Sequence, residues 1–498
     1  MAAIITEKFR QHNATQFFES FSEASKSTYY LFVGKATAYT SGTTGGSDSS
    51  PPTPSDSPTD TEFYAWDSML AAKNVTSSDI TYAIPRRNWA NGTTYDMYDD
   101  NISSSNTTTS GASNLYDSTF YFMTSDYRVY KVLDNNDGSA YSGAEPTSTS
   151  TSPFELGGYV LKYMYSITTS EAAKYLTSDF IPISDDSTVS AAATDGKIES
   201  IKVTAGTGYT NGTYYAAVYG DGTSAGTSSG AIIRITVSSN QIQSFGLTAG
   251  TDTTIHAGGA GYTFGTVNLG SGYTFSDSGL SSASNMGGSG GAIEVVISPK
   301  NGHGNSAVAE LGGHYVMSAT TLTQAENDDI TTSNDFRQVG LVVDPTNYGT
   351  STVATASTRR QTFVVKAASS SGTFEVDEKI TQASTGAVGK VVEWDSTLSL
   401  LYFQQERFGD YGTNSTTGDH SVFTGANLIT GGTSSATLTP TTDSETITLA
   451  NNNTLSTTSG YANPELQPDS GNIVYLENRK PIQRDSDQTE DIKLIIEF

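Results

Sequence analysis

Hydrophobic and polar residues alternate with a period of two along much of this chain, which is the pattern of half-buried β-strands. The clearest example is the C-terminal stretch 471–498, where the apolar run 473–476 predicts a strand that is stopped by Asn478 and Pro481. A second strand closes the stretch. One of its faces carries Ile492, Leu494, Ile496 and Phe498, and the other carries Lys493 and Glu497. We therefore predict a hairpin that either closes the chain's own sheet or lies on a partner subunit.

Hydrophobic patterns in the N-terminal part predict mostly strands, with a few short helices. Phenylalanines near helical spacing predict an amphipathic helix within 4–21, and Phe63, Trp66 and Leu70 predict another over 63–73. Apolar runs predict strands at 29–33, at 119–133 with a break near Ser125-Asp126, at 157–167 and at 335–345.

An internal repeat marks residues 191–299. The segment Ile198–Gly206 matches Ile242–Gly250, and Gly-x-Gly-Tyr-Thr follows at 206–210 and again at 259–263. Each copy ends in an apolar strand, at 230–235 and at 291–296. We interpret the block as a duplicated β unit whose glycines supply positive φ at the turns. Two copies are too few for a solenoid.

A second Gly- and Thr-rich block follows at 358–460. The segments 363–366, 374–376 and 388–394 predict a small barrel or sandwich, to which 398–403 adds a strand.

These patterns predict a mainly β (α+β) fold: a multi-layer β-sandwich core with short helices in its loops and two inserted small all-β modules. The predicted core comprises residues 1–190, 300–357 and 461–498, and the predicted insertions are 191–299 and 358–460. A chain of 498 residues is long enough for several such domains.

The charge and the cysteine content narrow the range of functions that this chain can have. There are 52 acidic side chains against 26 basic ones, a net charge of −26 that repels phosphate backbones, so we expect no nucleic-acid binding. The chain has no cysteine, which excludes disulfides and thiolate metal sites and fits a reducing compartment. No apolar run has the length of a signal peptide or a membrane span, so we expect no membrane insertion.

Arg86, Arg87 and Trp89 form a tight basic and aromatic group in this acidic chain. Arginine is suited to bidentate pairing with carboxylates and to stacking on aromatic faces. Two interpretations stay open: an internal ion pair or cation–π stack, and a contact to a neighbouring subunit.

The sequence gives only weak evidence for metal-binding or catalytic sites. The turn Asp134–Gly138, with Glu145 further on, has part of the spacing of a calcium loop, but a glycine stands where the fifth-position ligand is needed. His303 and His314 lie beside glycines and have no third metal ligand at useful spacing, so we interpret them as turn residues. Glu326, Asp328 and Asp329 form a cluster of carboxylates of the sort that a glycosidase uses. In so acidic a chain such a cluster is expected without a function. No hydrolase, metalloprotease or nucleotide-binding motif is present. We predict no catalytic, cofactor-binding or metal-binding residues and no cofactor.

Four groups of residues carry a family resemblance, in the same order along the chain. They are Ile84-Pro-Arg-Arg-x-Trp89, the Gly-Tyr-Val strand at 158–160, Phe336-Arg-Gln338, and a C-terminal composite of Gly471, Glu477-Asn-Arg479, Pro481, Asp487-Gln-Thr-Glu490 and Phe498. Together they resemble the baseplate wedge protein of T4-like contractile-tailed bacteriophages, the gene-product-eight family. The resemblance covers 1–190, 300–357 and 465–498 and lapses in the two Gly-rich blocks.

The resemblance implies a structural, non-enzymatic subunit of a phage tail baseplate wedge. It further implies a homodimer that docks onto other wedge subunits, in a virion tail assembled in the host cytoplasm. The residues we expect at subunit interfaces are Arg86, Arg87, Trp89, Ile492, Leu494, Ile496 and Phe498. The alternative is a receptor- or glycan-binding tail protein, in which Tyr209, Tyr215 and Tyr262 would stack on sugar rings.

Overall fold

A computed structural model describes residues 4–39, 45–56, 60–222, 230–270, 281–324, 326, 329–405, 420–449, 452–485 and 487–498. The chain divides into two compact units built from interleaved segments. Unit 1 comprises 1–16, 81–317 and 495–498, and unit 2 comprises 17–80 and 318–494.

Helices are few and short in the described ranges: α1 Glu7–Glu19, α2 Asp60–Ser68, α3 Thr169–Tyr175, α4 Ser187–Ala192 and α5 Ala307–Leu311.

Strands occupy most of the rest. Up to residue 300 they are β1 Tyr29–Gly34, β2 Met69–Val75, β3 Ile80–Pro85, β4 Tyr121–Met123, β5 Arg128–Asp134, β6 Phe154–Leu156, β7 Tyr159–Ser166, β8 Phe180–Pro182, β9 Ser200–Thr204, β10 Thr207–Tyr209, β11 Gly212–Gly220, β12 Ile232–Ser238, β13 Gln241–Ile242, β14 Thr254–Ala257, β15 Gly265–Val267, β16 Gly287–Ser289 and β17 Ala292–Val296. After residue 300 they are β18 Tyr315–Thr323, β19 Phe336–Val343, β20 Thr358–Arg360, β21 Phe363–Ser371, β22 Lys379–Gln382, β23 Ala387–Asp395, β24 Leu400–Gln404, β25 Ile429–Gly431, β26 Thr437–Pro440, β27 Thr446–Thr448, β28 Thr454–Ser456, β29 Tyr461–Ala462, β30 Asn472–Ile482 and β31 Thr489–Glu497. The prediction of a mainly β fold is confirmed.

Unit 2 contains a five-stranded antiparallel sheet in the order β20-β2-β1-β19-β30. β1 lies at its centre and is buried along its whole length, as its apolar sequence predicts. The core on this sheet consists of Tyr30, Phe32, Ala65, Trp66, Met69, Ala72, Val342, Ala354 and Leu466.

Strands β21 to β26 of unit 2 form a small barrel. Six strands follow in the order β24-β23-β22-β25-β26-β21, and β21 pairs back onto β24, so the sheet closes. Closure leaves no free edge between these six strands. The interior is filled by side chains such as Val365, Phe374, Leu401 and Leu438. One predicted strand is wrong: Phe374–Val376 lies between β21 and β22 and contributes the buried Phe374 ring from a loop.

The repeat in unit 1 folds by exchange between its two copies. β9 of the first copy pairs with β17 of the second, and β12 of the first pairs with β13 and β14 of the second. The repeated tyrosines make matching bonds: Tyr209 Oη accepts from the N–H of Gly291 at 2.8 Å, and Tyr262 Oη accepts from the N–H of Ala231 at 3.0 Å. A side chain at Gly291 would collide with the Tyr209 hydroxyl, so this contact requires glycine.

The helix predicted over 63–73 is too long. It ends at Ser68, and Met69–Val75 continues as β2, antiparallel to β1. Residues 69–72 are buried on both faces, and an apolar run of that kind does not distinguish a helix from a central strand.

The strand predicted to stop at Asn478 is too short, because β30 continues through Asn478 and Pro481 to Ile482. The register with β19 shifts between Gln338 and Phe336, so Pro481 lies in an irregular part of an edge strand. An edge strand tolerates proline there because no ladder hydrogen bond is lost.

We expect Tyr262→Phe to lower the free energy of unfolding by about 1–2 kcal/mol, because the buried N–H of Ala231 would lose its acceptor. Tyr209→Phe should act similarly through Gly291. Tyr348→Phe is the matched control, since Tyr348 is 39% exposed. Chemical denaturation followed by circular dichroism measures all three. A Tyr262→Phe protein as stable as the control would contradict this account of the repeat.

Candidate functional site

A cavity of about 310 Å³ in unit 1 brings together two of the segments predicted to form interfaces. Arg87 lines it from the segment after β3, and Glu497 lines it from the end of β31. The N-terminal helix α1 contributes Glu7 and Arg10, and the segment before β18 contributes His314. The two ends of the chain therefore meet at this cavity.

An ion pair connects α1 to the C-terminal strand, since Arg10 Nη1 lies 3.0 Å from Glu497 Oε1. Beside it, His314 Nδ1 lies 3.2 Å from Glu7 Oε2. The N–H of Phe498 donates to the carbonyl of His314 at 3.1 Å. Burial lowers the pKa of His314, while the carboxylates of Glu7 and Glu497 act in the opposite direction. Glu7 and Arg10 were not predicted from the sequence, since no local pattern marks them as neighbours of residue 497.

Arg87 combines a cation–π stack with a free donor. Its guanidinium lies 4.4 Å from the ring centroid of Tyr121, and Nη2 donates to the carbonyl of Tyr116 at 2.9 Å. Its Nη1 is buried and has no hydrogen-bond partner. A buried donor without an acceptor is costly.

Arg86 and Trp89 make internal contacts. Arg86 Nη1 donates to the carbonyl of Thr177 at 2.7 Å, and its Nε donates to Asn88 Oδ1 at 2.9 Å. Trp89 packs edge-on against Tyr141 with ring centroids 5.8 Å apart. Within the described ranges neither Arg86 nor Arg87 forms an ion pair with a carboxylate. The contacts of Arg86, Arg87 and Trp89 fit the interpretation that these side chains pack within their own chain. Their role at a subunit interface stays a prediction.

The C-terminal strand β31 lies in the chain's own sheet. It is the outermost strand of a four-stranded sheet in the order β31-β18-β3-β8. Leu494 is buried at 2% exposure, whereas Ile492, Ile496 and Phe498 are half-buried. One edge of β31 pairs with β18, and half-exposed apolar side chains remain along the strand. Whether they also contact a partner stays a prediction.

A second group of charges is fully buried in unit 1. Lys131 Nζ lies 2.9 Å from Glu310 Oε2, 2.9 Å from His303 Nδ1 and 3.9 Å from the Tyr98 ring centroid. Burial lowers the pKa of Lys131, with Glu310 opposing that shift, and burial together with Lys131 lowers the pKa of His303. His303 is therefore part of an internal charge network, in addition to lying between two glycines with positive φ.

The segment Asp134–Gly138 is a hydrogen-bonded turn. Asp134 Oδ1 accepts from the N–H of Asn136, and Asn135 Oδ1 accepts from the N–H of Gly138. Glu145 instead accepts from the N–H and hydroxyl of Ser125, both at 2.6 Å. In the part of the chain that the structure describes, no group of three or more His, Cys, Asp or Glu side chains is arranged to hold a metal ion.

The carboxylate cluster at 326–329 is only partly described, since Asp328 lies outside the described residues. Glu326 Oε1 lies 2.6 Å from Lys73 Nζ. Burial tends to raise the pKa of Glu326, but the bonds from Lys73 and Thr323 outweigh it and lower the pKa. Asp329 instead has its pKa raised to about 6 by burial, with Glu465 adding to the shift.

The tyrosines proposed for sugar stacking are mostly inaccessible. Tyr209 and Tyr262 are 4% and 2% exposed, because both rings fill the core of the repeat. This part of the glycan-binding interpretation is wrong. Tyr215 is half-buried and packs edge-on against His256, with ring centroids 5.3 Å apart.

Comparison with known protein families finds a match at both ends of the chain. The family model of bacteriophage T4 Gp8 matches residues 3–152 and 441–498. This match is consistent with a Gp8-family protein that carries an insertion. The matched segments contain Arg86, Arg87, Trp89 and the whole of β31, as well as Glu7, Arg10 and Glu497 at the cavity. The match to the Gp8 family points to a structural role in a phage baseplate wedge.

The match differs in extent from the resemblance noted in the sequence. It does not include 153–190 or 300–357, and it includes 441–464. No curated protein matches this chain. None of the helices in the described ranges is both long and apolar enough to cross a membrane.

The buried carboxyl group of Asp134 gives a prediction about how the stability of the protein depends on pH. Burial raises the pKa of Asp134 to about 6, above its ordinary value of 3.8, so the folded protein holds this proton more tightly than the unfolded chain. The stabilising contribution is complete below pH 4 and is lost as the pH rises through about 6. We expect Asp134→Asn to raise the free energy of unfolding at pH 8 by about 2 kcal/mol and to change it little at pH 4.

Denaturation between pH 4 and pH 8 measures this effect. Asp56→Asn is the control, since Asp56 is exposed and does not contribute to the pKa of Asp134. An Asp134→Asn protein whose stability follows the unmodified chain at every pH would show that burial does not govern this carboxyl.

Proposed function

We propose that this protein is a structural subunit of a phage tail baseplate wedge, which forms a homodimer and assembles with other wedge proteins in the host cytoplasm. The observation that carries the proposal is the family match at both ends of the chain, 3–152 and 441–498. The fold supports it, because the matched ends contribute Glu7, Arg10, Arg87 and Glu497 to one cavity.

We infer that the role is structural rather than catalytic. The charged clusters of the described residues are occupied by internal bonds: Glu326 by Lys73, and Glu310 by Lys131. The glycan-binding alternative loses support from the burial of Tyr209 and Tyr262.

We also propose that the block 191–299 and residues 358–440 of the second block are insertions into the wedge core, since the family match resumes at residue 441. Most of the segment between the two matched ends, 153–440, is made of these blocks. The barrel has its own apolar core. The repeat is less independent, since its core shares Leu133 of β5 and Val160 of β7 with the neighbouring sheet, and Ser200 Oγ donates to the carbonyl of Leu133 at 2.6 Å.

Arg86, Arg87, Trp89 and the apolar side chains of β31 are our candidates for subunit contacts. Two features support them. Arg87 Nη1 is a buried donor without a partner, and β31 is an edge strand with half-exposed isoleucines. An edge strand offers backbone groups and side chains to a neighbouring chain by β-addition.

The direct test is localisation in purified tails. We expect an affinity-tagged copy of the chain to be incorporated into assembled tails, and labelling of the tag to be seen at the baseplate by electron microscopy. Absence of the chain from tails that contain the other baseplate proteins would overturn the proposal.

The dimer has its own test. Ile492→Ser combined with Ile496→Ser should weaken dimer formation by about 2 kcal/mol while leaving the fold intact, because these side chains are half-exposed in the single chain. Size-exclusion chromatography with light scattering measures the association, and circular dichroism measures the fold.

Two control variants show whether the double variant affects the dimer interface specifically. Lys493→Ser, on the other face of β31, should leave the dimer unchanged, whereas Leu494→Ser should lower the melting temperature because Leu494 is 2% exposed. An unmodified chain that is monomeric, or a double variant that dimerises normally, would contradict this interface.

A further inference from the structure

A cleft of about 980 Å³ lies beside the N-terminal arm, which we define as residues 4–11. On the arm side it is lined by Ile4, Ile5 and Gln11. On the opposite side it is lined by residues 98–102, 113–116 and parts of 299–310. All of these residues belong to unit 1.

The arm is poorly covered by the rest of unit 1. Ala14 is the only residue of α1 that is fully buried, whereas Ile4, Ile5 and Phe9 are 84%, 66% and 54% exposed. Three large apolar side chains so close together on the surface are unusual and typically mark an interaction site. The arm is held to its neighbours by polar contacts, such as that of Gln11 Nε2 with the carbonyl of Ala309 at 3.3 Å.

The far side of the cleft is acidic. Asp99 is buried and is paired with Lys202, whereas Asp100 at the rim is exposed and accepts the N–H of Ile297 at 2.9 Å. No basic side chain of the described residues lies within ion-pair distance of Asp100, although Lys8 and Lys300 also line the cleft. Asp99 and Glu294 lie near enough to add to the negative potential at this carboxylate.

We propose that this cleft binds an extended or helical segment of another baseplate wedge protein, whose large apolar side chains cover Ile4 and Ile5 and whose Lys or Arg pairs with Asp100. The proposal rests on the function proposed above. Charge complementarity favours such a partner over a second copy of this chain, since the net charge of −26 opposes self-association through an acidic rim.

Overlapping synthetic peptides that tile the other baseplate proteins of the same phage, and this chain itself, are the probes. Fluorescence anisotropy with the full-length chain should identify a peptide that contains apolar residues followed by Lys or Arg. Ile4→Ser combined with Ile5→Ser should weaken that binding about tenfold or more. Asp100→Lys should weaken it by a similar factor, and replacing the peptide's basic residue with Glu should restore binding to the Asp100→Lys chain.

Matched controls come from exposed residues of unit 2. Val422→Ser, at a side chain that is 65% exposed, and Asp56→Lys, at an exposed carboxylate, should leave the affinity unchanged. Circular dichroism checks that each variant is folded, as expected for substitutions at exposed side chains.

Three outcomes would overturn the inference: no peptide binds, the bound peptide is insensitive to the arm and Asp100 variants, or the best binder comes from this chain itself. These outcomes are separate from failure of the proposed function. A chain that is found in assembled tails but does not respond to the variants would retain its function and lose this site. A chain absent from tails would lose the function whatever the peptides do.

Discussion

Strand pairing between distant parts of the sequence is the constraint on which this structure depends. In unit 2, Leu31 of β1 lies opposite Leu341 of β19, and Leu341 lies opposite Tyr475 of β30. Buried backbone groups must be hydrogen-bonded, so the sheet forms only when all three strands are present in register. The long segments that connect these strands must begin and end at the neighbouring strand ends of the sheet. Closing a long loop costs only slightly more than closing a shorter one, so the sheet tolerates large insertions.

The barrel shows how an insertion meets this constraint. The chain leaves the sheet after β20 and returns to it at β30. At the point of departure, Gln361 Nε2 donates to the carbonyl of Leu466 at 3.1 Å, and Gln361 Oε1 accepts from the N–H of Leu466 at 3.2 Å. Arg360 and Glu465 add further bonds between the same two strands of chain. The outgoing and returning segments are thus held side by side.

The sequence predicted those features that depend on local pattern. The break between β4 and β5, the buried β1 and the alternating β31 follow from periodicity and turn residues within a few positions of one another. Errors arose where the local pattern was ambiguous, as in Met69–Val75, or where position in the sheet decided the outcome, as for Pro481 on an edge strand.

The candidate site was predictable only in part, since its geometry is long-range. Arg87 was identified from its unusual setting, and its stack on Tyr121 is one of the two contacts expected of it. The pairing of Lys131 with Glu310 joins residues 179 positions apart, and that of Arg10 with Glu497 joins residues 487 positions apart. Rules based on the spacing of residues along the sequence do not predict contacts over such separations. Because the cavity needs α1, the segment before β18 and the end of β31 together, it exists only when these segments have come together in unit 1. A partner that docks there would therefore recognise complete subunits and reject chains whose C-terminal strand has not yet joined its sheet.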